Sequence, residues 1–343
     1  MRDVGIPFFC FAEEVVPAEG FRDVGGDVPY KVTLRGSGQM EHIYPTYYDK
    51  FRCIAAACPD SCCQGWDVVI DESTEEYYRS VGGEFGERLR NAIYTDADGD
   101  RVFRLAEKKK CPFWGADKLC DIYRELGEEH LCATCDQFPR IRMEFEDFTE
   151  HTLALACPEA ARLIVNEDDA YAGFTTESAV GCEDYSAEEI NLLLRTRKEA
   201  ALLLTEDRPL TERLDAFLRF AEKVQEEIGF YTEDVDIPFP DLLLDLEYID
   251  EKNRAMIEEC RGFQPDLRVE EAALTRLALY WLYRYWVTAI GSMDVLAAAR
   301  MAAGSVRIVA AIAQRHGMTV AQAAQVYSKE IEQSYENMER ILG

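Results

Sequence analysis

Nine of the twelve cysteines lie between His42 and Val165, and their spacing is the strongest chemical signal in the chain. The first run is Cys53-Ile-Ala-Ala-Ala-Cys58-Pro-Asp-Ser-Cys62-Cys63. Four thiols so close in sequence converge on one centre only if the backbone loops around it, and Pro59, Asp60 and Ser61 are turn formers. Cys111, Cys120, Cys132, Cys135 and Cys157 follow in separate short runs. Zinc takes tetrahedral sulfur and nitrogen ligands, and iron–sulfur clusters are held by thiolates. Side chains of adjacent residues leave the backbone in different directions, so Cys62 and Cys63 are able to serve different sites. In a reducing compartment, clustered cysteines point to metal binding or catalysis rather than disulfides. The isolated Cys10, Cys182 and Cys260 are expected to be ordinary buried thiols. Cys132-x-x-Cys135 also fits a redox motif, but no thioredoxin-like strand–helix pattern surrounds it.

The motifs are longer than the cysteines alone. They read Cys53-x4-Cys58-x3-Cys62-Cys63-x-Gly65-Trp66, then Cys111-Pro-Phe with Leu119-Cys120-Asp-Ile-Tyr123. Cys135-Asp-Gln-Phe-Pro-Arg140 and Ala156-Cys157-Pro-Glu-Ala-Ala161 complete the set. Together they resemble the flagellin lysine-N-methylase (FliB-type) family, within a wider group of cysteine-cluster proteins thought to chelate zinc or iron. The resemblance covers Tyr44 to Val165 well, fits the C-terminal half loosely and leaves the first forty residues uncovered. It implies transfer of methyl groups from S-adenosylmethionine to lysines of flagellin or another lysine-bearing protein. It also implies a bound iron–sulfur cluster, 4Fe-4S in type, with zinc as the alternative. The metal ligands carried over by the resemblance are Cys53, Cys58, Cys62, Cys63, Cys111, Cys120, Cys135 and Cys157, with Cys132 left as a spare. Eight thiols fill two four-thiolate sites, or one site with the rest buried; spacing alone leaves both open.

Two departures bear on the donor. Gly82-Gly83-Glu-Phe-Gly86 is a poor match to a dinucleotide-type fingerprint, with no strand pattern before it. The Cys-x3-Cys-x2-Cys spacing of radical enzymes also fails, because Gly65 stands where the third cysteine is needed. No catalytic residue is assigned; Tyr47, Tyr48, Asp67, Tyr123 and Glu159 are polar groups near the cysteines, and Tyr283 and Arg284 lie in an apolar helix. The rival to an enzyme is a protein that binds zinc or iron without catalysis, or an interaction module for a basic partner.

The elements that must hold these residues are mostly helical. A strand pattern runs through Trp66, Val68 and Ile70, and Asp71 to Thr74 then offers caps for a helix through Tyr77 and Tyr78. Tyr94 to Asp100 reads as a turn. Residues 1–40 read as an N-terminal extension with a weak strand signal at Tyr30 to Leu34, residues 41–165 as the cysteine-cluster metal-binding domain, and residues 186–343 as a helical domain. Ser186 with Glu188 and Glu189 marks a helix start. Leu210, Leu214, Phe217, Leu218, Ala221 and Val224 keep helical spacing. Leu274 to Ile290, Met301 to Ala313 and Thr319 to Leu342 complete the reading, with a break at His316-Gly317. The expected architecture is mainly α: a loop-rich thiolate domain packed on a C-terminal bundle of four or five helices.

Composition bounds the partners. Asp and Glu outnumber Lys and Arg by 65 to 37, a formal charge of −28. Such a surface repels nucleic-acid phosphates and favours basic partners. The apolar runs are too broken for a secretory signal or a membrane span, so a cytoplasmic location with no membrane or nucleic-acid partner is expected.

Overall fold

The computed structural model describes residues 40–174, 176, 178–229 and 239–342. The strand signal at Tyr30 to Leu34, the 1–40 extension but for Met40, and Cys10 lie outside the described residues. The chain is mainly helical, with two small sheets.

The first half threads short elements between long loops. Strand β1 (Glu41–Ile43) is followed by the cysteine loop, then by helices α1 (Glu72–Ser80) and α2 (Gly83–Ala92). Asp71 caps α1 as expected, its carboxylate accepting from the Thr74 amide. Strands β2 (Ile93–Thr95) and β3 (Arg101–Phe103) form an antiparallel hairpin. Trp66 to Ile70 is extended but forms no full strand: the Ile70 amide donates to Arg101 O, and Val68 O accepts from the Phe103 amide. Val68 and Ile70 are buried, and Val69 pairs with Val102 of β3 only as an isolated bridge. The turn lies at residues 96–100, with Tyr94 already inside β2. Helices α3 (Asp121–Leu126) and α4 (Ala133–Gln137) are short. Strands β4 (Arg140–Glu144) and β5 (Phe148–Leu153) form a three-stranded sheet in the order β1-β5-β4, with β5 parallel to β1 and antiparallel to β4. Helix α5 (Pro158–Asn166) starts directly after Cys157, with proline at its first turn, where no amide donor is needed.

Helix α6 (Ala187–Leu204) opens on a reciprocal box: Ser186 Oγ accepts from Glu189 N, and Glu189 Oε2 accepts from Ser186 N. Two backbone donors are thereby satisfied, as the sequence signals. Helix α7 (Leu210–Ile228) ends at Gly229 in the left-handed region, and α8 (Phe239–Leu242) and α9 (Glu251–Glu259) are short. Helix α10 (Glu271–Tyr285) buries Trp281 completely and Tyr280 almost so. Helix α11 (Val295–His316) is capped by Asp294 and stopped by Gly317. By length and composition α11 is apolar enough to cross a membrane, but 72% of its most apolar window is buried inside the fold. The stretch from Thr319 to Leu342 is two helices, α12 (Val320–Ile331) and α13 (Tyr335–Leu342). The break comes where Ser334 Oγ takes the Asn337 amide, a side-chain bond that competes with helix continuation.

Five long helices, α6, α7, α10, α11 and α12, pack on one another, and α5 packs on α10 and α12. One large apolar core runs through the sheet, α5 and these helices. A smaller core gathers Val68, Ile70, Tyr78, Leu89, Phe103, Phe113 and Ile122, with cysteines at its edge.

Candidate metal centre

The cysteine loop is shaped by its own backbone. Ala55 to Ala57 make a tight turn, the Cys58 amide bonds Ala55 O at 3.0 Å, and Ser61 Oγ accepts from the Cys63 amide at 3.0 Å. Gly65 then takes a φ of +117°, and a Cβ there would stand 3.0 Å from Ile249 Cγ2 and 3.5 Å from Lys329 Cε. The glycine of the Cys63-x-Gly-Trp run thus answers two demands, a left-handed backbone and a close approach by the chain before α9.

The cysteines gather in two neighbouring groups that touch, since Cys62 hydrogen-bonds to Cys63 and lies within electrostatic reach of Cys111. Cys111 and Cys132 belong to the smaller core, with Cys63, Cys120 and Cys135 packed against it. The Cys111 amide donates to Cys63 O at 2.8 Å, and the Cys135 amide to Cys132 O at 2.9 Å. Trp114 pairs with Cys120 as a β-bridge, which folds the 111–120 loop back on itself. Tyr78, whose hydroxyl donates to His130 O at 2.8 Å, lies within electrostatic reach of Cys120, Cys132 and Cys135. Cys132, a spare by resemblance, is therefore inside the group. On the other side, Cys157 sits at the start of α5 in the large core, near Cys58 and Cys62, and Cys58 lies near Cys53. Cys260 is buried, as expected of an ordinary core thiol, whereas Cys182 is only half-buried.

Helix α12 pins the second gathering. Gln325 Nε2 donates to Asp60 Oδ2 at 2.8 Å and to Ala156 O at 3.1 Å, tying the cysteine loop to the residue before Cys157. Lys329 Nζ donates to Asp60 Oδ2 at 2.7 Å and to Ser61 O at 3.2 Å, and stands 5.2 Å from the Trp66 ring centroid. Neither Gln325 nor Lys329 is among the candidates that the cysteine motifs suggest. The signal that could find them is a pair of polar residues at four-residue spacing on a helix with many small apolar residues.

The thiols disfavour one another's ionisation. Burial pushes Cys111 and Cys157 up to about 12, with neighbouring thiols adding to it. A hydrogen bond to Cys63 raises Cys62, which the Lys329 ammonium partly opposes. Cys132 and Cys135 share a hydrogen bond that holds Cys132 below and Cys135 well above the ordinary thiol value. Many crowded thiols can all ionise only with a cation between them, and metal binding must then release protons. The all-sulfur donor set fits thiophilic iron or zinc. Among the described residues, no three His, Cys, Asp or Glu side chains converge tightly enough to clasp a single ion.

The other candidate groups are mostly engaged elsewhere. Tyr47 is fully buried, its hydroxyl 2.7 Å from Thr152 Oγ1 and 3.1 Å from the Tyr171 hydroxyl, and burial pushes it up to about 12. Burial likewise raises Tyr48 to about 12. Glu159 is paired with Arg162, which holds its carboxyl below the usual range and makes it a weak base. Asp67 and Tyr123 are exposed. Tyr283 stacks on Tyr171 at 4.0 Å, under the Arg197 guanidinium. Gly82 and Gly83 open α2 after another helix, and the described sheets contain no doubly wound arrangement, so no dinucleotide-type donor cleft is seen among the described residues.

The chain is 28% identical to the flagellar biosynthetic protein FliU of Salmonella muenchen over 141 residues, 37% of this chain and 79% of FliU. It is 29% identical to the lysine-N-methylase of Salmonella typhimurium over 136 residues, and 30% identical to that of Salmonella choleraesuis over 141 residues. This chain is a distant homologue of FliU and the lysine-N-methylases. The homology spans 37% of this chain and only 33% of either lysine-N-methylase. No family model matches the chain, and no solved structure matches it significantly.

Proposed function

We propose that this chain is a cytoplasmic S-adenosylmethionine-dependent methyltransferase acting on lysines of flagellin or another lysine-bearing protein, with an iron–sulfur cluster on its thiolates. The observation that carries the reading is the distant homology to proteins named lysine-N-methylase. The gathered thiols support the metal part. A single zinc, at about 2.3 Å from each sulfur, needs its thiolates packed tightly around one point. An iron–sulfur cluster is likewise held by thiolates.

The residues that would hold the cluster are drawn from Cys53, Cys58, Cys62, Cys63, Cys111, Cys120, Cys132, Cys135 and Cys157. When bound, it would supply an iron able to ligate the amino-acid end of the methyl donor. The chain's own part is to hold thiolates, of which those of Cys53 and Cys62 are exposed, and to draw in the substrate. A lysine must shed its proton before its nitrogen attacks a methyl sulfonium, and a free lysine has a pKa of about 10.4. The charge of −28 favours encounter with a basic partner. A second reading, metal binding without catalysis, draws on the match covering a third of each lysine-N-methylase.

The deciding experiment incubates anaerobically purified protein with flagellin and S-adenosylmethionine. Donor-dependent mass gain of whole methyl groups on flagellin lysines is expected. No gain with an intact metal centre would favour the second reading.

A further inference from the structure

We propose that the cleft between α1, α2 and the β2–β3 hairpin binds a small oxyanion, a phosphate or the phosphate of a small ester. The site is separate from the thiols and owes nothing to methyl transfer. The cleft has a volume of about 290 Å³ and is lined by Glu75, Arg79, Arg90, Ile93 and Arg101. Three guanidiniums against one carboxylate leave positive charge in excess there, on a chain whose formal charge is −28. The acids of the hairpin turn, Asp96, Asp98 and Asp100, are not among the lining residues.

The arginines are held in place by the chain. Glu75 is 7% exposed and acts as their anchor. Its Oε1 accepts from Arg79 Nη2 at 2.8 Å and from Arg101 Nη2 at 2.5 Å, and its Oε2 accepts from Arg101 Nε at 3.0 Å. One carboxylate oxygen shared by two guanidiniums draws those like charges together. Arg101 Nη1 also donates to Thr95 Oγ1 at 2.7 Å. Arg90 Nη1 donates to Val81 O at 2.7 Å and to Arg79 O at 3.3 Å, and among the described residues no carboxylate pairs with Arg90. The Gly82-Gly83-Glu-Phe-Gly86 run, a poor nucleotide fingerprint, has its use here. A Cβ on Gly86 would collide with Val81 O, so glycine is what lets α2 close on the end of α1. Arg90, four residues further along α2, then reaches the same carbonyl.

The donor chemistry selects the ligand. A guanidinium carries five N–H donors in a planar fork, and these contacts occupy one nitrogen of Arg79 and one of Arg90. Forks of this kind match the paired oxygens of phosphate. Like charges gathered around one cleft repel each other, and an anion between them relieves that repulsion. The volume lies near the lower end of small-ligand pockets, about 300 Å³, so a bound phosphate leaves room for a small organic group against Ile93.

The test titrates inorganic phosphate into the full chain by isothermal calorimetry, in Tris chloride buffer near neutral pH. Saturable binding of one phosphate per chain is expected, displaced by sulfate and not by added chloride. Glycerol phosphate separates the two sources: tighter binding than inorganic phosphate assigns the site to an ester, weaker binding to the free ion. Arg79→Gln and Arg90→Gln should each weaken binding by at least about tenfold, the loss of a charge-assisted hydrogen bond. Arg268→Gln removes the same charge from an exposed position outside the cleft and should leave binding unchanged. No saturable binding up to about 10 mM phosphate overturns the proposal. So does a loss in Arg268→Gln as large as in the cleft variants, which would mean that phosphate senses only net charge. Arg79 keeps 64% of its side chain exposed, so its replacement opens no core, and the unsubstituted chain reports whether phosphate binds even if Arg90→Gln fails to fold. Methylation of flagellin is read separately, so either result leaves the methyltransferase reading where it stands.

Discussion

Lys329 of α12 reaches across 269 positions of sequence to donate to Asp60 Oδ2 at 2.7 Å, with only 9% of its side chain exposed. The ammonium also holds Ser61 O and faces the Trp66 ring, so the C-terminal helices and the cysteine loop are one mechanical unit. Replacing it with Lys329→Met should destabilise the protein. Asp60 keeps about a third of its surface in water, which reduces the cost of leaving it unpaired below that of a fully buried pair, to about 1–3 kcal/mol. Urea unfolding checks this; an unchanged midpoint would show the contact to be idle. Metal content should also fall.

Gly65→Ala meets two penalties, a positive φ and a Cβ 3.0 Å from Ile249. A strained backbone of this kind costs about 1–3 kcal/mol. The same urea titration should show the loss, whereas Gly99→Ala, with open space around the Cβ, tests the backbone term alone.

Glu150 and Arg197 form a bidentate pair at 2.6 and 2.7 Å between β5 and α6, both almost wholly buried. Removing one member strands a buried charge, so Arg197→Met should cost about 3–5 kcal/mol. The double variant Arg197→Met/Glu150→Gln should recover part of that. Equal losses in the single and double variants would mean that packing of the guanidinium on Tyr283, rather than the charge, sets the cost.

His151 is buried beside His42, 3.0 Å away, and desolvation holds it down to about 3. The unfolded imidazole takes its proton near pH 6.5, the folded one only near 3. The unfolded state therefore binds more protons between these values. The stability contributed by the neutral ring is complete above about pH 6.5 and lost as pH falls toward 3. Stability against pH should fall across that window in the unsubstituted protein and fall less in His151→Phe. Matching curves would refute the assignment.

Local chemistry is legible in the chain itself. The Ser186 and Asp71 caps, the stop at Gly317 and the apolar stripe of α7 follow from short-range hydrogen bonding and helical periodicity, which act over a few residues. The cysteine motifs are legible for the same reason. Other features depend on partners far away in sequence. Trp66 to Ile70 alternates as a strand should, but its pairing is decided by what β3 offers it. The entry of Cys132 into a thiol group and the anchoring of Asp60 by Gln325 and Lys329 both need distant segments of chain to meet. Spacing constrains which thiols are able to reach one another; only packing of the two cores chooses among the arrangements that remain, because burial and long-range hydrogen bonds carry no signature in a local window of residues.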